Sequence, residues 1–214
     1  MIAVIKGDII GSRNLEHPDK WLAPLKHLFA DWGLTTWQWE IVWGDFFQFE
    51  ITQPEEALHR ALQIKALVKH VAADDPQRKS SPIDVRMAIG IGEKTYTGER
   101  ISESNGPAFV YAGERFEKLK KDRVNLGIQS PSEDFDREID LYLKLAGLFM
   151  DEWTISSAEL VSMVLKRPAA NQEALGNMLG IKQNSVSGRW NRAKVDELLE
   201  VELMFRHKIK QCFP

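Results

Sequence analysis

The stretch TTWQWEIVWGDFFQFEI, residues 35–51, constrains the fold more than any other. Trp37, Trp39, Ile41 and Trp43 fall on alternate positions, and Phe47, Phe49 and Ile51 do so again after Gly44-Asp45. A period of two in β-branched and aromatic residues is that of a strand, and two such runs around a Gly/Asp turn predict a hairpin. The tryptophans either stack a base or form core and dimer contacts, and the second role is the commoner for alternate aromatics.

The flanking segments supply the rest of a sheet. Ile2–Ile5, IDVRMAIGIG and VNLGIQS have the short apolar pattern of buried strands. PDKWLAPLKHLFADWG, PEEALHRALQIKALVKHVAADD and GPAFVYAGERFEKLKK have helical spacing, with Pro24 awkward inside the first of them. The order β-α-β-β-α-β, followed by α-β, predicts an α+β fold. Its first six elements match a ferredoxin-like topology, an antiparallel sheet with helices on one face. Beyond the polar stretch SPSEDF, residues 130–135, no strand pattern recurs. Helices are expected over about 136–151, 156–166, 171–178, 183–194 and 196–210. Two modules follow: a sheet domain over 1–132 and an all-α domain over 133–214, with a helix-turn-helix at about 156–194.

Charge divides in the same way. The net charge of −3 excludes a global attraction to nucleic acid. From Thr154 onward, 9 Lys+Arg face 6 Asp+Glu, a net +3, whereas residues 1–153 carry 19 against 25, a net −6. Two modules with different partners are implied. At 43% hydrophobic and 28% charged, the chain belongs with folded proteins rather than disordered ones. The single Cys212 excludes an intrachain disulfide and a cysteine-rich zinc site, which suits a reducing, cytoplasmic setting. No signal peptide is expected from the strand-like start. No apolar run approaches the roughly 18 residues of a membrane span, so no membrane partner is expected.

The candidate chemistry begins in VIKGDIIGSR, residues 4–13, where a strand runs into Asp8. In the expected topology Asp8 and the hairpin's Asp45 meet at one sheet edge. Two carboxylates suit Mg²⁺ or Mn²⁺, commonly completed by substrate phosphates. The backbone at Ile9, Gly11 and Ser12 then faces a phosphate or nucleotide, with Arg13 as its cationic partner. A turn preference alone also explains each aspartate. Arg86, Lys94, Arg100 and Glu103 are secondary candidates, and Gln48 follows the hairpin turn.

The blocks VIKGDIIGS, WGDFFQFEI, VRMAIGIGE and GPAFVYAGERFEKL occur in the order and at about the separations of the landmarks of class III nucleotidyl cyclases. A closer resemblance, over most of residues 1–128, is to the SatD family, whose members are read as regulatory. The resemblance implies a palm-like domain, with Asp8 and Asp45 as metal ligands and Ile9–Ser12 as the phosphate loop. It also has departures. The adenine-selecting lysine position is Ile41, and the asparagine and arginine positions of the third helix are Val110 and Glu114, with Arg115 one residue away. About 100° of helix rotation separates neighbours, and without a cation aimed at the triphosphate, cyclisation loses its main electrostatic support.

NQEALGNMLGIKQNSVSGRWNRA, residues 171–193, has a capping Asn171, inward Ala174, Leu175 and Met178, Gly180 at a turn, and an inward pair Val186 and Trp190. It resembles the helix-turn-helix of many bacterial regulators, with Gly176 where alanine is usual. Gln183, Asn184, Ser185, Ser187, Arg189, Asn191 and Arg192 are the expected DNA-facing residues. A homodimer is expected, with VDELLEVELMFRHKIK as a candidate dimer helix through Leu198, Leu199, Val201, Leu203 and Phe205. The function expected is that of a DNA-binding transcriptional regulator with a degenerate, metal- or nucleotide-sensing or dimerising front domain. A metal-dependent nucleotide enzyme and a protein-interaction module are the alternatives.

Overall fold

The computed structural model describes residues 1–75 and 77–213. Its central strand is β1 (Ile2–Ile10), whose alternate residues enter two different layers. Ala3, Ile5 and Ile9 join the main apolar core, whereas Val4 joins a second cluster with Ile101, Ala108, Phe109 and Ala112. The sheet is therefore covered on both faces. The other strands are β2 (Trp39–Val42), β3 (Phe46–Ile51), β4 (Asp84–Gly92) and β5 (Leu126–Gln129), in the spatial order β2-β3-β1-β4-β5. Among the described residues there are five strands and eight α-helices, an α+β fold.

Helices α1 (Asp19–Ala30) and α2 (Ala57–His70) fill one face; Phe29 of α1 touches Phe47 and Phe49 of β3. Pro24 sits inside α1 without ending it. Helix α3 (Pro107–Asp122) lies on the opposite face. Its approach depends on Gly90, where an added Cβ would stand 2.2 Å from the Ala108 carbonyl oxygen. Among β1–β4 every pair is antiparallel and α1 and α2 share one face, as expected of the first six elements; the α3–β5 unit that follows alters the whole sheet in two ways. β5 runs parallel to β4, because α3 returns the chain by a crossover, and the sheet is mixed. That same crossover covers the second face.

The remaining helices are α4 (Glu133–Met150), α5 (Ile155–Lys166), α6 (Gln172–Leu179), α7 (Gln183–Ala193) and α8 (Val195–Cys212). Helix α4 shields the free edge of β5. Asp140 and Asp136, one helical turn apart, accept the Ile128 and Ser130 N–H groups at 2.9 Å each. Burial pushes both carboxyls above their ordinary range. Helix α5 packs on α2, and one apolar cluster runs from Ala3 through Val161 to Ile209, across the expected boundary at 132/133. On α8, Leu198, Phe205 and Ile209 are buried within the chain, and Phe135 of α4 stacks near Phe205. Most of the apolar side read from sequence as a dimer surface is covered internally; Leu203 stays exposed.

Candidate functional site

The β1 and β3 register sets the backbones of Asp8 and Asp45 side by side, while their carboxylates have separate partners. Asp8 pairs with Phe46, and the Ile9 N–H donates to the Asp45 carbonyl at 3.1 Å. Each carboxylate already has a partner. Arg86, opposite Asp8 on β4, donates through Nε at 3.1 Å and Nη2 at 2.9 Å to the two Asp8 oxygens. Ser12 Oγ donates to Asp45 Oδ2 at 2.8 Å. Arg86 also lies 5.9 Å from the Phe116 ring, which meets Phe46 edge-on. Lys6, two residues before Asp8, shares the α3 side of the sheet, and burial lowers its ammonium below the ordinary lysine range.

This donor set does not fit a resident divalent cation. A metal at Asp8 must displace a two-pronged guanidinium that already neutralises the carboxylate. Among the described residues no three His, Cys, Asp or Glu side chains gather as a metal-ligating group. The adjacent loop, expected to face a phosphate, turns tightly. Gly11 is left-handed at φ 73°, Ser12–Asn14 form a short 3₁₀ turn, and Arg13 is exposed beside them. The Ile9 amide, included in the expected phosphate loop, is taken by Asp45. The N–H groups of Gly11, Ser12 and Arg13 have no acceptor among the described residues.

The secondary candidates are mostly tied down. Lys94 pairs with Glu50 at 2.7 Å, Arg100 with Glu40 at 3.2 Å, and Gln48 donates to the Ile101 carbonyl at 3.1 Å. Glu103 caps its own short turn at Arg100. Val110 and Glu114 face solvent on α3. Arg115 lies over Gly127 and pairs with Asp122 and Asp140 at 2.6 and 3.1 Å. Of the hairpin tryptophans, Trp39 is buried, whereas Trp43 is 91% exposed with φ 52° at the turn.

In the rear helices, Asn171 caps α6 by accepting the Ala174 N–H at 2.9 Å. Gly180 ends α6 in the left-handed conformation at φ 65°. Lys182 then precedes α7, so the connection is Gly180–Lys182. Gly176 has a local cause: a Cβ there would stand 2.8 Å from the Ile181 carbonyl oxygen. Val186 and Ala193 are buried and Trp190 packs beside them. At about 100° per residue, Asn184, Gly188 and Asn191 lie opposite that buried side. Gln183, Asn184, Ser185, Asn191 and Arg192 are exposed, and Ser187 is partly so. Arg189 is a correction: its Nη1 is 2.6 Å from Glu159 of α5, so it braces α7 rather than pointing outward.

Sequence reasoning missed a buried ionic cluster. Lys65 Nζ, on a side chain 3% exposed, contacts Asp84 Oδ1 at 2.6 Å and Asp151 Oδ1 at 2.5 Å. Lys69 donates to the Asp151 carbonyl at 2.6 Å, and Asn125 to Asp151 Oδ2 at 2.9 Å. The only sequence trace was two lysines one turn apart in the otherwise apolar IKALVK. No described helix is long and apolar enough to cross a membrane. Comparison with family models, with curated proteins and with solved structures finds no match to this chain.

Proposed function

We propose that this chain is a DNA-binding transcriptional regulator of the cytoplasm. In this reading α6 and α7 form a helix-turn-helix, and the sheet module is a ferredoxin-like, cyclase-type domain that serves sensing or dimerisation. The observation that carries it is the outward side of α7. Asn184, Ser187, Asn191 and Arg192 line a polar face, while Val186 and Ala193 hold the opposite side in the core. Amides of this kind suit adenine edges, and an arginine suits guanine or phosphate. Gly188 lies in the middle of that face and lets the helix backbone approach a groove closely. A net +3 after residue 153 is mild, so useful affinity calls for a homodimer on two half-sites.

The test is selection of genomic fragments on the purified chain, followed by titration. Asn184→Ala and Arg192→Ala are expected to weaken the selected site by about tenfold or more. Arg192→Ala is further expected to reduce the salt slope if it meets phosphate. No enriched fragment, or affinity unchanged in both variants, overturns the reading.

A second reading, a metal-dependent nucleotide enzyme, draws on the adjacency of Asp8 and Asp45 and on the free N–H run at Gly11–Arg13. The Asp8–Arg86 pair weighs against it. It calls for a rise in unfolding midpoint with nucleotide plus Mg²⁺ or Mn²⁺ that Asp45→Asn abolishes.

A further inference from the structure

A cavity of about 260 Å³ lies between the start of β5 and the C-terminal half of α4. Its walls are apolar, from Met87, Leu126, Leu143, Leu148 and Met150. Lys65, whose side chain is 3% exposed, and Asn125 also line it, together with the Asp151 that both hold. Arg123, Lys144 and Glu152 belong to the lining and are all exposed. The nearby carboxylates Asp122, Asp140 and Asp151 are taken by Arg115 and Lys65. Arg123 and Lys144 are thereby left without an ion pair among the described residues, two cations against one Glu152.

Gly147 also lines the cavity, inside α4, and an added Cβ there would meet nothing within 4 Å. Glycine weakens a helix interior, and no neighbour forbids a side chain at this position. What its small size preserves is the open volume.

We propose that this cavity binds a small amphipathic anion, its apolar body between β5 and α4 and its carboxylate or phosphate at Arg123 and Lys144. The volume lies just below the ~300 Å³ at which drug-sized sites begin, so the ligand is small. The cavity also sits on the joint to the rear helices. Asp151 is two residues from Trp153, whose buried indole donates to the Ala193 carbonyl at the end of α7 at 2.9 Å. Occupancy that repositions the end of α4 is transmitted to α7 along this route. That second step gains regulatory meaning only from the DNA-binding reading; the pocket itself does not depend on it.

The experiment uses the full chain with octanoate and octyl phosphate as probes, and octanol and octylamine as the uncharged and cationic controls. Thermal unfolding reads binding, and amide hydrogen exchange over residues 183–193 reads coupling. One or both anions are expected to raise the midpoint saturably and to slow exchange near Ala193. The preferred anion distinguishes a carboxylate ligand from a phosphate ligand. Gly147→Leu, a better helix former that fills the cavity, is expected to abolish the effect with helicity retained. Arg123→Gly, which accepts the left-handed φ of 56°, combined with Lys144→Ala is expected to weaken the anions at least tenfold and octanol much less. No shift with either anion overturns the proposal, as does binding that survives Gly147→Leu or equal binding of octylamine. Binding without a change in exchange overturns the coupling alone. Failure to find a DNA site changes none of these results.

Discussion

Asp8 is the residue on which sequence and structure diverge most. The apolar run Ile2–Ile5 marked the strand but not its length: β1 continues to Ile10 and holds Asp8 within it rather than past its end; the Gly44-Asp45 turn signal was local and legible. The partner of Asp8 was not. Arg86 reaches Asp8 only because β4 pairs with β1 in a register that sets these two residues opposite each other. That register is decided by burial of Val85, Met87 and Ile89 on the other face. Arg86→Ala leaves a half-buried carboxylate with no donor and is expected to cost about 2 kcal/mol in denaturant unfolding. A double-mutant cycle with Asp8→Asn is expected to return a coupling of about 1–3 kcal/mol. Mn²⁺ affinity that appears only in Arg86→Ala would show that the arginine stands in for a metal.

Helix α7 is the element where stability and function are expected to pull apart. Val186, Trp190 and Ala193 hold one side in the core, and Arg189 is fastened to Glu159 of α5. The opposite side owes nothing to folding. Gly188→Ala is expected to stabilise the chain by up to about 1 kcal/mol, because glycine is a poor helix former. If the proposed DNA-binding role holds, the same substitution is expected to weaken that binding severalfold, because the methyl group stands on the face assigned to DNA in that proposal. Calorimetry and a binding titration on one preparation check both signs. A gain in stability with unchanged affinity would remove Gly188 from the interface.

The whole molecule is held by contacts that span the chain. Arg206 of α8 bridges Glu56, ahead of α2, and Glu202 of α8. His59 lies in the same cluster, its Nδ1 3.7 Å from Glu202, too far for a hydrogen bond. Burial, and then the Arg206 charge, lowers the imidazole below the usual histidine range. A lowered histidine favours the fold where it is neutral. That contribution is present above the unfolded value of about 6.5 and is lost as pH falls through the lower folded value. Glu202 is raised by burial, which works in the opposite sense, so its contribution is lost as pH rises. The wild-type midpoint is therefore expected to fall between about pH 7 and 5 more steeply than that of His59→Gln. Equal slopes in the two proteins would remove His59 as the cause.

The strands, the helices and their order were set by local pattern: period two around Gly44-Asp45, helical spacing in the rear, Asn171 and Gly180 at the ends of α6. These signals survive because each depends on neighbours within a few residues. Tertiary structure alone decided which groups meet. It placed α3 on the second face over Gly90, gave Asp8 to Arg86, turned Arg189 inward, and buried Lys65 between Asp84 and Asp151. It also left a cavity behind Gly147. Each of these joins residues from separate elements, through register and packing that no single segment encodes.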